Sequence, residues 1–212
     1  MSLLITCPVP STLTTVPVPT CIQDFGQVTK AVFQRRYSSG TTENLFTIAS
    51  ANPNVVASWD TFFDATDATA TEITPYLNNS AIEGADAVTF GGGDATAFGI
   101  SRVIAQNPSS FTAEIHATRQ DVISALKTYQ GEILAVYLIN EHGQIAGKGN
   151  SVTSPTTFQG FPIVPGTFFV SDLKGGKRES PDMNVIQFQF YPNWSDLFYV
   201  VVPSDFNGND LS

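Results

Sequence analysis

Charged side chains are scarce in this chain of 212 residues, and basic ones are scarcer than acidic ones. Asp, Glu, Lys and Arg make up 14% of the sequence, well below the roughly one quarter that is usual for a soluble domain. Ten Lys and Arg against 19 Asp and Glu give a net charge of -9. This balance opposes the wrapping of nucleic acid, which needs clustered basic residues. A surface with so few charges is typical of a protein that contacts other subunits, or of a secreted β domain.

Cysteine and histidine are also scarce, with two of each. Cys7 and Cys21 cannot fill a four-ligand zinc site, because His116 and His142 lie far from them in the sequence. The two thiols could form a disulfide or remain free in a reducing cell. The histidines are the only candidates for an imidazole base, and no nucleophile-elbow serine accompanies either. We therefore predict that the chain is not an enzyme and has no catalytic, cofactor-binding or metal-binding residues.

Three other polar motifs are better explained by turns and loops than by chemistry. The run Gly91 to Asp94 has the glycines of a phosphate-binding loop, but a predicted strand follows it instead of a helix. The oxygen-rich run Asp205 to Asp210 lacks the spacing of a calcium loop, so we expect a frayed polar terminus. The basic group Lys174, Lys177 and Arg178 is typical of a solvated loop tip.

Long hydrophobic runs are missing as well. No stretch approaches the length of a membrane span, and Met1 to Thr6 lacks the basic start and apolar length of a signal peptide. We expect a soluble protein that is made inside the cell and has no membrane partner.

Hydrophobic residues make up 42% of the chain and include 16 Phe, which is enough to form the core of one domain. Residues 1–24 form a distinct segment, in which Pro8, Pro10, Pro17 and Pro19 rule out the interior of a sheet and predict an extended arm. Residues 25–204 are predicted to form a single domain, with a long excursion or open hairpin at 147–166. Residues 205–212 are predicted to form a polar tail.

The clearest local pattern is a strand, a helix and a second strand. Apolar residues alternate with polar ones from Phe111 to Ala117, which is the period of a half-buried strand. Thr118 can then cap a helix over residues 119–130, which has one apolar stripe and ends at Gly131. Ile133 to Ile139 is a mostly apolar run that predicts a buried strand.

The remainder of residues 25–204 is predicted to be strands and loops, apart from a short second helix that begins at Asn52-Pro53 and ends near Asp64. Trp59, Phe62, Phe63, Phe188 and Phe190 are predicted to lie in the core. The fold class is mainly β or α+β: a β-sandwich of about nine or ten strands with one firm flanking helix and an extended N-terminal arm. The predicted strands are 28–37, 45–48, 71–74, 85–90, 98–105, 111–117, 133–139, 167–173, 184–191 and 197–202.

This layout resembles the small structural proteins of tailed bacteriophages, especially phages of Bacteroidetes, and among them a tail tube protein. The residues that carry the resemblance are the end of the arm at Asp24 to Gln27, helix 119–130 with strand 133–139, and the C-terminal strands 186–190 and 197–202. The resemblance implies a virion protein, made in the host bacterial cytoplasm, that forms stacked hexameric rings through which DNA passes without specific binding. It implies that copies of the chain and other virion proteins are the partners, with the arm and residues 147–166 as candidate contacts between rings.

Two other functions stay open at the level of the sequence. A capsid decoration, auxiliary head or connector protein could use the same domain and arm to clamp neighbouring subunits. A carbohydrate- or cell-binding β-sandwich would be supported by Tyr191 and Trp194 if these aromatic side chains were exposed in a groove.

Overall fold

The computed structural model describes Val16 and residues 24–95, 97–116, 119–176 and 181–211. These residues form two α-helices, α1 (Val56–Phe63) and α2 (Gln120–Lys127), and short 3₁₀ turns at Gly93–Ala95, Ala97–Gly99 and Gly208–Asp210. The strands are β1 (Val28–Arg35), β2 (Tyr37–Ser39), β3 (Thr42–Glu43), β4 (Phe46–Thr47), β5 (Thr71–Ile73), β6 (Leu77–Glu83), β7 (Ala87–Phe90), β8 (Arg102–Gln106), β9 (Ser109–His116), β10 (Leu134–Asn140), β11 (Ile145–Gly149), β12 (Thr157–Gln159), β13 (Phe161–Pro162), β14 (Phe169–Val170), β15 (Met183–Phe190) and β16 (Phe198–Val201). The fold is mainly β, as predicted.

Two antiparallel sheets make up the body of the protein. The main sheet has the order β4-β12-β11-β10-β1-β5, and β13 and β16 pair in addition with β10 and β11. The second sheet has the order β14-β15-β9-β6. Strands β9 and β15 pair over eight residues without a register shift, from Ser109 opposite Phe190 to His116 opposite Met183. The alternating pattern of both strands is thus confirmed as a continuous ladder.

The first core lies between the two sheets. Its residues come from both sheets and from helix α2, whose Ile123 and Leu126 are buried. Phe111 of β9 and Phe188 of β15 stack with their ring centroids 4.6 Å apart, and Phe188 meets Phe33 of β1 edge to face at 5.8 Å. These aromatic contacts add to the burial of apolar area that holds the sheets together.

A second core covers the opposite face of the main sheet. Strand β10 is buried on both faces, since Val136 and Leu138 belong to the first core, and Tyr137 and Ile139 to the second. Helix α1 lies over this second face, where Trp59 is completely buried and its indole N–H donates to the carbonyl of Pro53 at 2.9 Å. The predicted core role of Trp59, Phe188 and Phe190 is confirmed, and Phe62 and Phe63 pack partly buried against the second core.

Both helices are shorter than the sequence predicts. Helix α1 begins at Val56 and not at Pro53, because Asn52 uses its side chain in a turn, accepting a hydrogen bond from the N–H of Asn54. Helix α2 ends at Lys127, and a turn then leads to Gly131, whose φ of 92° only glycine adopts without strain. The predicted cap Thr118 lies outside the described residues.

Of the two structures predicted for residues 147–166, the hairpin is found and the long excursion is not. These residues are largely part of the main sheet: β11 and β12 form a hairpin, and β13 pairs with β10. Phe158, Phe161 and Ile163 are buried, and the exposed parts are the loop at 150–156 and a short turn at 165–166. Gly160 makes this path possible, because a Cβ atom there would lie 2.9 Å from the backbone nitrogen of Val136. Most of these residues are therefore held in the main sheet and do not form a free excursion.

The expected frayed tail is also wrong. Leu211 is buried in the second core, and Gly208 is buried so tightly that a Cβ atom would lie 2.5 Å from the carbonyl oxygen of Gly143. The side chain of Asn209 accepts a hydrogen bond from Thr29 at 2.7 Å and donates one to the carbonyl of Asn140 at 3.0 Å. Polar side chains therefore hold the tail against the main sheet.

Candidate assembly surface

The two histidines considered for catalysis lie in different parts of the structure. Nε2 of His116 lies 2.8 Å from Oε2 of Glu114 on the outer face of the second sheet, and Asn79 donates to the same oxygen at 2.8 Å. These two hydrogen bonds hold the pKa of Glu114 below its usual value, and the bond with His116 makes the larger contribution. His142 is 71% exposed in the turn between β10 and β11. The two histidines therefore do not lie together. The hydrogen bonds of Glu114 connect side chains of the neighbouring strands β6 and β9.

Side chains of the oxygen-rich run at 205–210 accept hydrogen bonds from backbone groups of the protein. The carboxylate of Asp205 accepts from the N–H of Val56, and the side chain of Asn207 accepts from the N–H of Asn209 at 2.9 Å. Within the described part of the chain, no group of three or more His, Cys, Asp or Glu side chains could hold a metal ion. The structure therefore gives this run a role in folding.

The predicted basic group is only partly described. The backbone of Lys174 pairs with that of Met183, the first residue of β15, and the Lys174 side chain is exposed. Lys177 and Arg178 lie outside the described residues.

The glycine run 91–94 lies at the end of a β-hairpin, as the sequence predicts. Gly91, Gly92 and Gly93 have φ values of 99°, 103° and 54°, and each lets the chain reverse direction between β7 and β8. Among the described residues, two 3₁₀ turns and then strand β8 follow the run, so it does not lead into an α-helix N-terminus of the kind that binds phosphate.

The hairpin continues strands β6 and β9 of the second sheet past the end of that sheet. Strands β6 and β9 pair within the sheet from Leu77 to Glu83, and β7 and β8 continue the same two chains outward. The N–H of Asn107 donates to the carbonyl of Asp86 at 3.0 Å, which joins the two parts of the ribbon. At about 3.4 Å per residue, the β7–β8 pair extends the ribbon by roughly 14 Å before the turn begins.

Apolar side chains cover this hairpin on both faces and at its tip. All five residues of β8 are exposed, including Val103 at 69% and Ile104 at 63%. Phe90 and Ile100 are also more than half exposed, and Phe98 at the tip is 96% exposed. Single exposed apolar residues are ordinary, but five on one projecting ribbon make it the candidate interaction surface among the described residues. We call this group, Phe90, Phe98, Ile100, Val103 and Ile104, the apolar hairpin.

The backbone at the tip is strained as well. Phe98 has a φ of 68°, a conformation that a bulky residue rarely adopts. Such strain costs on the order of 1–3 kcal/mol and is concentrated at functional positions. Phe98 is thus both strained and almost fully exposed.

The aromatic residues that would have supported carbohydrate binding do not form a groove. Trp194 packs against the first core and stacks on Phe190 with ring centroids 4.4 Å apart. Tyr191 is 37% exposed at the end of β15. Trp194 is explained by core packing, so the structure offers no support for this reading.

Comparison with known proteins gives no relative: no family model matches the chain, and neither a curated protein nor a solved structure is similar to it. None of the helices in the described parts of the chain is long and apolar enough to cross a membrane.

The sequence predicts the hairpin but not the exposure of its apolar side chains. The run from Val88 to Ile104 has the apolar content of ordinary buried strands, and nothing in it indicates that both faces are exposed. The available signal was the glycine-rich connection at residues 91–94, which marks the tip of the hairpin.

Proposed function

We propose that this protein is a self-assembling structural protein of a virion, and that it forms the stacked rings of a phage tail tube. The apolar hairpin is the observation that carries the proposal. Beyond the second sheet the ribbon has only two strands, and two strands without further packing are marginally stable in water. Covering it by another subunit would remove its apolar side chains from solvent and pair its open edges.

The outer face of the second sheet and the net charge of the chain also support this proposal. The outer face of the second sheet presents Ser110, Thr112, Gln187 and Gln189, with few charged groups among them. Such a face can pack against a neighbour without desolvating many ions. In a ring, the net charge of -9 would repel the phosphates of DNA and let it pass without adhering. The hexameric ring is part of the proposal because it follows from the resemblance to tail tube proteins.

The hairpin takes the place of residues 147–166 as a contact element. Those residues are held in the main sheet, whereas β7 and β8 project from the second sheet. Rings would therefore be joined, in this proposal, by the hairpin and the N-terminal arm.

The test is to purify the full chain and follow its mass by light scattering over a range of concentrations, with negative-stain electron microscopy of the same samples. Rings or tubes with a central channel are the expected result. A chain that remains monomeric at every concentration would contradict the proposal. It would favour a decoration protein, which assembles only on its capsid lattice.

A further inference from the structure

Strand β16 lies at an open edge of the main sheet. Among the described residues, it pairs only with β11. The N–H of Gly149 donates to the carbonyl of Leu197 at 3.0 Å, and the backbone groups of successive residues in an antiparallel ladder point to alternate sides. Val200 therefore directs its N–H and C=O away from β11, where one more strand can pair with them.

A groove of about 520 Å³ runs beside this edge. Its wall is largely apolar, since Phe198 and Val200 belong to it, and Val152 and Val202 are more than half exposed on it. Among the described residues that line the groove, Asp24 is the only charged one. The groove thus offers an incoming strand unpaired backbone groups, apolar side chains and one carboxylate.

Strand β8 of the apolar hairpin has the complementary properties. In the described structure β7 and β8 form a sheet of two strands, so β8 pairs only with β7 and its other edge is open. The strand is exposed along its whole length, and Val103 and Ile104 supply apolar side chains. Arg102 is its one charged residue, and it makes no ion pair with another described residue. An open strand edge, apolar side chains and a cation therefore lie together on β8.

We propose that β8 of one subunit adds as a further strand to the open edge of β16 in a second copy of this chain. This inference rests on the proposed self-assembly and names the surface that receives the apolar hairpin. A second copy is the partner because the two elements match in charge, in apolar character and in unpaired backbone groups, yet the described β8 and β16 of one chain do not pair with each other.

The pairing would cover two exposed features of the fold at once, the hairpin and the edge of β16. The hairpin and the groove are different parts of the surface. Each subunit would therefore give its hairpin to one neighbour and receive a hairpin from another, which is a contact that propagates.

Cross-linking between two populations of the full-length chain tests the pairing. Both populations carry C7S and C21S, so that each chain has only the introduced thiol. One population carries V103C, which keeps a small apolar side chain on β8, and the other carries V202C and an affinity tag. They are mixed when dilute, concentrated to assemble, and treated with a short bis-maleimide. A second pair uses Q106C, at the end of β8, in place of V103C.

The matched control replaces V202C by I133C. Ile133 is 46% exposed and precedes β10, whereas Gln144 of the groove lies beyond the other end of that strand. Light scattering of each mixture, and of the unmodified chain, is recorded before the cross-linker is added. The expected result is a tagged–untagged dimer as the main product with V202C, and loss of that product with I133C.

Assemblies as large as those of the unmodified chain that give no V202C dimer would overturn the strand pairing while leaving the proposed self-assembly intact. A chain carrying both V103C and V202C that links within itself at high dilution would also overturn the pairing, since the hairpin would then cover its own β16. An unmodified chain that stays monomeric, with no dimer from either pair, would overturn both proposals.

Discussion

The carboxylate of Asp205 accepts a hydrogen bond from the backbone N–H of Val56 at 3.1 Å, and so caps helix α1 from a position 149 residues later in the chain. Val55, the residue that precedes the helix, makes no side-chain cap. The N–H of Ser204 also donates to the carbonyl of Asn54 at 2.9 Å. The C-terminal segment therefore completes the helix that covers the second core.

Asp205→Ala is expected to lower the free energy of unfolding by about 1 kcal/mol, because the helix loses its capping acceptor. Asp205→Asn is the matched control, since asparagine keeps an acceptor oxygen in the same place. Urea denaturation of both variants measures the difference. Equal stability of Asp205→Ala and the unmodified chain would show that the cap contributes nothing.

Gly147→Ala is expected to destabilise the main sheet at the junction of β11 and β12. A Cβ atom there would lie 2.6 Å from the carbonyl oxygen of Gln159 and 2.6 Å from the ring of Phe158, which is completely buried. Overpacking of this kind costs about 1–3 kcal/mol. Gly175→Ala is the control, because its Cβ would meet nothing within 4 Å. Thermal unfolding that gives the two variants the same midpoint would contradict this packing.

The stability of the protein is expected to fall at alkaline pH in a way that depends on Tyr137. Burial raises the pKa of this phenol well above its ordinary value of 10.0. Above pH 10 the unfolded chain loses this proton and the folded chain keeps it, so stability decreases by up to about 1.4 kcal/mol per pH unit until the folded pKa is reached. Below pH 10 this contribution is constant.

Tyr137→Phe removes that proton from both states. We expect a shallower decline in the free energy of unfolding between pH 10 and 11 than in the unmodified chain, measured by denaturation at each pH. At pH 7 the variant should be less stable by about 1–3 kcal/mol, because the buried Gln34 loses the hydroxyl that donates to it. Parallel pH profiles for the two proteins would show that Tyr137 is not protected from ionisation.

The strands that the sequence predicts best are those with one buried face. Strands β9 and β15 show their alternation directly, since inward and outward residues differ in polarity. Strand β6 was missed because its sequence, Leu-Asn-Asn-Ser-Ala-Ile-Glu, has one residue in the first core and a bulge at Asn79, whose φ is 49°. Its place is set by pairing with β9, which is not encoded in its own pattern.

The errors at residues 147–166 and 205–212 have a common physical cause. Glycine, proline and polar residues predict loops, but here they allow close backbone approach at Gly160 and Gly208 and side-chain hydrogen bonds at Asn209. Those contacts depend on what lies next to the segment in space. The exposure of the apolar hairpin could not be predicted for the same reason, since an apolar strand has the same sequence whether or not its own fold covers it.

The most direct test of the central claim compares assembly of the unmodified chain with that of a hairpin variant, Val103→Thr with Ile104→Thr. Threonine keeps the strand propensity of these positions and removes apolar area. The matched control is Ile133→Thr with Leu173→Thr, two exposed apolar residues outside the hairpin. Sedimentation velocity at one protein concentration measures all three, after circular dichroism confirms that each is folded. The account predicts large assemblies for the unmodified chain and the control, and a folded single chain for the hairpin variant. Assemblies of unchanged size from the hairpin variant would contradict it.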